Sequence, residues 1–74
     1  MPVATPAPGE VLDLDVLGRG RVSAMVTRRA PLDWHGLRGL AWRVTLTLPD
    51  GEIAEAMQIG RERLTFLDPR IRAR

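Results

Sequence analysis

Pro49-Asp50-Gly51 lies between two short alternating segments, and it leaves the chain little choice about its local course. Before it, Trp42, Val44, Leu46 and Leu48 alternate with Ala41, Arg43, Thr45 and Thr47. Successive side chains of an extended strand point to opposite faces, so a period of two gives one apolar face and one mostly polar face. Proline pre-sets φ at the first central position of a turn, Asp suits the second, and Gly tolerates the positive φ that follows. The pattern predicts a hairpin over 40–59, closed by a type I turn with a glycine bulge. With Leu48 opposite Glu52, Leu46 faces Ala54 and Val44 faces Ala56 on the buried side. Arg43 then lies beside Met57, and Thr45 beside Glu55, on the other face. The alternative is a helix at about 51–64, with Asp50 as its N-cap and Ile53, Ala56, Met57, Gly60 and Leu64 at helical spacing. Gly60 in its middle weighs against it.

Alternation recurs upstream. Leu12, Leu14 and Val16 share one side of a first strand, with Asp13 and Asp15 on the other. Gly18-Arg19-Gly20 is a turn that lacks the glycine spacing of a phosphate loop. A second strand runs over 21–29, with Val22, Ala24 and Val26 on one side and Arg21, Ser23, Met25 and Thr27 on the other. Pro31, Gly36 and Gly39 mark 30–39 as a loop, long for so small a chain. After the hairpin, 60–68 is a short closing element anchored by Leu64, Phe66 and Leu67 and ended at Asp68-Pro69. It reads as a turn of 3₁₀ helix followed by a strand.

Short strands with turn signals at this spacing point to a mainly β fold, a small five-stranded, SH3-like antiparallel barrel. An antiparallel sheet with one helix at about 51–64 is the alternative. The division expected is a disordered segment over 1–9, a single small β domain over 10–69 and a basic tail over 70–74. A domain of 74 residues buries only about 60% of its unfolded surface. It has no cysteine for a disulfide or a thiolate zinc site, so support is expected from a protein partner or from self-association.

All 11 basic residues are Arg, against 9 acids, for a formal charge of +2. The high computed pI follows from the missing Lys rather than from a strong basic excess. The charge is uneven: 1–15 carry Glu10, Asp13 and Asp15 and no base, whereas 61–74 carry five Arg against Glu62 and Asp68. Opposite signs at the two ends either pair them in the fold or mark the C-terminal side as a contact surface. No apolar run is long enough to span a membrane and no signal peptide is evident, so a cytoplasmic protein is expected.

Catalytic chemistry finds little material. The chain has one Ser and one His. A Ser23, His35 and Asp33 set lacks the sharp nucleophile turn that such a set needs. A single His makes no zinc site, and Asp13 with Asp15 is a solvated strand face before it is a cation site. Neither metal nor cofactor is expected, and the protein is not read as an enzyme. The residues that stand out are Trp34, with Arg28, Arg29, His35 and Arg38 around it, because Trp and Arg are enriched at binding hot spots. The competing assignment folds Trp34 back to cap an open barrel end. Trp42, at an inward position, is assigned to the core.

The sequence therefore predicts a non-catalytic protein-interaction module, an adaptor, accessory subunit or modulator, presenting Arg28, Arg29, Trp34, His35 and Arg38 to a protein partner. The alternative is a nucleic-acid-binding barrel using Arg28, Arg29, Arg38, Arg61 and Arg63. It requires the acids of the first strand to lie on the opposite face, leaving one basic stripe.

Overall fold

The computed structural model of the chain describes residues 5–34 and 37–74, with backbone alone at 33, 34 and 37–40. Among the described residues there are strands and turns and no helix. The strands are β1 (Val11–Val16), β2 (Gly20–Trp34), β3 (Leu37–Thr47), β4 (Ile53–Ile59), β5 (Thr65–Phe66) and β6 (Ile71–Ala73). They form one antiparallel sheet in the order β5-β4-β3-β2-β1-β6. The sheet curls until its edge strands β5 and β6 approach each other, giving a small, nearly closed barrel.

The hairpin has the register expected of it. Arg43 pairs with Met57, Val44 with Ala56, Thr45 with Glu55 and Leu46 with Ala54. Leu48 N–H donates to Glu52 O at 2.8 Å and Gly51 N–H to Leu48 O at 2.9 Å, closing the turn. Gly51 has φ +88°, and Asp50 Oδ1 accepts the Glu52 N–H at 2.9 Å. Residues 53–59 are therefore strand, and the helical alternative over 51–64 falls.

The core fills the barrel along the inner positions of these strands. Leu14, Val26, Val44, Leu46 and Ala56 are fully or almost fully buried, with Leu48, Phe66 and Ile71 completing the set. Small Ala54 and Ala56 face large Leu46 and Val44, which lets the facing wall approach without a void.

Several segments differ from the sequence expectation. Residues 30–34 and 37–39, read as part of a loop, continue β2 and β3 as paired strands, meeting at Trp34 and Leu37. Pro31 is tolerated because β2 is flanked only by β3 at that height, and proline is compatible with a strand edge. Residues 71–73, read as a basic tail, form β6 against β1, with Ile71 6% exposed. The alternation Ile71, Arg72, Ala73 fits a strand whose inner face needs only two small or apolar groups. At the other end Pro6 is buried and Gly9 N–H donates to Val26 O at 2.8 Å, so 5–9 pack on the barrel, while 1–4 lie outside the described residues. Of the closing anchors, Phe66 is buried and Leu64 half-buried, whereas Leu67 is exposed. A turn at 60–61, not a 3₁₀ helix, precedes β5.

Candidate functional site

One irregularity decides how the arginines are arranged. Val26 pairs with Leu46 and Arg28 with Thr45, so Thr27 is an extra residue in β2, a β-bulge. The extra residue reverses the inward–outward alternation beyond it. Arg29 then pairs with buried Val44 and faces the barrel's inner side, while Arg28 pairs with Thr45 on the outer side. Adjacent in sequence, the two arginines stand on opposite faces.

Arg29 lies at the barrel end where the chain enters. Its guanidinium sits 5.1 Å from the centroid of the Trp42 ring and donates to Thr5 O at 3.4 Å. Trp42 is half-buried rather than a core residue, because it lies beyond the last full layer of core side chains, opposite Gln58. Gln58 is fully buried; its Oε1 accepts from Thr5 Oγ1 at 2.6 Å and its Nε2 donates to Glu62 O at 2.9 Å. Thr5, Arg29, Trp42 and Gln58 together cap this end.

At the opposite end, three turns are tied by charge. Arg19 reaches Asp50 at 2.7 Å and Glu52 at 3.2 Å, and Arg70 reaches Asp68 at 2.7 Å and Glu52 at 3.7 Å. The two-pronged Arg70 guanidinium, together with the Arg70 backbone N–H, holds the Asp68 carboxyl down to about 2, and the Arg70 pKa is raised in return. Asp50 is lowered first by the Glu52 backbone N–H and then by Arg19. These groups lie at the surface, exposed or, for Asp68, half-buried, so each pair adds little to stability.

The acidic first strand meets the basic last one. Asp15 pairs in register with Arg72 on one side and Arg21 on the other, and Arg74 Nη1 lies 3.1 Å from its Oδ1. Ser23 Oγ donates to Asp13 at 3.2 Å. The opposite end charges are thus paired in the fold. Ser23 and Asp33 lie on one strand, separated by on the order of 30 Å at about 3.3 Å per residue, which rules out their acting together.

Beyond Met25, which pairs with Val11, β2 leaves β1; beyond Ala41, which pairs with Ile59, β3 has no β4 beside it. The two strands continue together as a ribbon to Trp34 and Leu37, along a molecule measuring 36 × 23 × 20 Å. The side chains of Trp34 and Arg38, and all of His35, lie outside the described residues. Arg28 is exposed at the ribbon base. There a depression of about 160 Å³ on the outer face is lined by Arg28, Ala30, Leu32, Arg43, Thr45 and Glu55, with Pro31 at its edge. Arg43 and Glu55 were not singled out from sequence; their link to Arg28 becomes visible only once the bulge is known. Arg61 is exposed in the turn after β4, and Arg63 lines a separate cleft with Leu12, Leu64 and Ala73 near the β5–β6 seam. Arg28, Arg29, Arg61 and Arg63 therefore do not share one face, and Asp13, Asp15 and Glu55 interrupt the outer one.

Fold and surface together define a small all-β barrel that carries a β-ribbon. No protein-family model, curated protein or solved structure matches the chain. No helix among the described residues is long and apolar enough to cross a membrane.

Proposed function

We propose that this protein is a non-catalytic interaction module that engages a protein partner through the β2–β3 ribbon. The observation that carries the reading is the ribbon itself: from Arg28 to Trp34, β2 is paired on one side only. A strand edge left open over this length is a surface that another chain can cover. Proline at this edge discourages indiscriminate strand pairing, which favours recognition through side chains. The meander closed by its last strand on its first is the arrangement on which an SH3-like description rests. A cytoplasmic location belongs to the same proposal and rests on the cysteine-free sequence.

Binding nucleic acid is the weaker reading, because acids interleave with the exposed arginines on the outer face. The test is site-specific photo-crosslinking in cells, with the reactive group at Leu32 on the ribbon or at exposed Leu17, in the turn at the opposite end of the barrel. A discrete protein adduct from position 32 and none from 17 is expected. Adducts from both positions alike, or from neither, would refute a ribbon-directed module.

A further inference from the structure

Resting on the interaction-module reading, we propose that the outer face at the ribbon base docks an acidic peptide segment with apolar flanks. The surface spans three strands. Arg28 and Thr45 are cross-strand partners, as are Ala30 and Arg43, so the two arginines are diagonal neighbours on one face. Side chains so placed lie roughly 7–8 Å apart at Cβ, within reach of a single carboxylate for two long guanidinium groups. Both arginines are exposed, and neither forms an ion pair with any described residue. Glu55 lines the same depression, yet the arginines make no salt bridge to it. The positive charge at the site is therefore left for an incoming anion.

The surroundings say what kind of anion. Leu32 pairs with Ala41, and Ala41 with Ile59; Arg43 pairs with Met57. The same face thus offers Ala30, Leu32, Met57 and Ile59 beside the arginines, with Ile59 39% exposed although it is a large apolar group. A phosphate backbone has no apolar surface to place there, and its run of charges calls for a row of cations where this face offers two. A peptide combining Asp or Glu with Leu, Ile or Phe satisfies both the charges and the apolar rows. Apolar contact supplies affinity, and the paired arginines fix register and orientation.

The experiment selects a random peptide library on the immobilised protein and measures the enriched peptides by fluorescence anisotropy. Binding is compared for wild type, Arg28→Glu/Arg43→Glu, and a variant with the ribbon tip beyond Leu32 and Ala41 replaced by an Asn-Gly turn. A labelled oligonucleotide is titrated in parallel. The arginines are exposed, so circular dichroism and the melting temperature should be unchanged in the double variant. The expected result is enrichment of acidic–apolar sequences whose affinity falls at least about tenfold on double charge reversal and is kept by the tip-trimmed variant. Enriched peptides without acids, or indifferent to the charge reversal but lost with the tip, overturn this site while leaving the interaction module standing. Absence of any enriched peptide counts against both. Oligonucleotide binding at micromolar concentration that the charge reversal abolishes overturns the commitment to a peptide.

Discussion

Replacing Gly51 by valine tests the central turn with little ambiguity. Its φ of +88° is in the left-handed region, and a Cβ built there meets no atom within 4 Å. The cost of the substitution is thus confined to backbone conformation, with no clash and no lost side-chain contact. An L-residue held in that region loses about 1–2 kcal/mol, with a β-branched residue at the upper end. Stiffening the unfolded chain by removing glycine offsets up to about 1 kcal/mol of it. A net loss of about 1 kcal/mol should remain, which lowers the melting temperature by about 4–8 °C in a domain of this size. Gly51→Asn is the control, since asparagine tolerates positive φ, and it should sit within a few tenths of a kcal/mol of wild type. Urea unfolding of the three proteins, with a common m-value, measures the differences. Equal losses for valine and asparagine, or no loss for valine, would refute the assignment of the cost to the glycine conformation.

Three other perturbations probe the rest of the fold. Ile71→Ala should cost about 2 kcal/mol or more by urea denaturation, as expected for a buried aliphatic; a change below about 0.5 kcal/mol would return 71–73 to the status of a tail. The Arg70 guanidinium holds the Asp68 carboxyl down to about 2 in the folded protein, below the ordinary carboxylate value of 3.8, so its contribution is complete above about pH 4 and is lost as pH falls through 2. In Asp68→Asn the stability gap to wild type should accordingly be constant near neutrality and shrink below pH 4; a gap independent of pH down to 2 contradicts the Arg70 pairing. Arg29→Ala should shift Trp42 fluorescence and cost about 0.5–1 kcal/mol from the lost ring contact. Measured in a Trp34→Phe background, an unaltered emission spectrum would remove that contact from the account.

The hairpin was legible because its turn fixes its register: once Pro49-Asp50-Gly51 is placed, every cross-strand partner from Thr47 to Ala41 follows by counting. β1 was legible for a similar reason, as polar Asp13 and Asp15 interleave with apolar neighbours without interruption. The ribbon was not, because Pro31, Gly36 and Gly39 break a strand in the middle of a sheet, whereas here the strand has an open side. Nor was the separation of Arg28 from Arg29, since a bulge at Thr27 carries no glycine or other local mark, and one inserted residue inverts every later side chain. β6 escaped notice because three residues give too little periodicity to distinguish a strand from a charged tail. Its partner is distant in sequence, with Ile71 beside Val16. Trp42 was placed in the core from parity alone; parity gives the face but not the height along the barrel, and Trp42 lies at the end.

The pairing of β6 with β1 bears on how the chain comes off the ribosome. Val16 emerges early, but its neighbour Ile71 and the Arg74 N–H that reaches Asp13 O at 3.2 Å are made only after all the intervening strands. Until β6 is made, β1 has an open flank, and the hairpins that follow it can form while the ring cannot. Closure thus joins segments far apart in the chain, the kind of contact that slows folding. Until it happens, the nascent protein displays a bare strand edge to its neighbours.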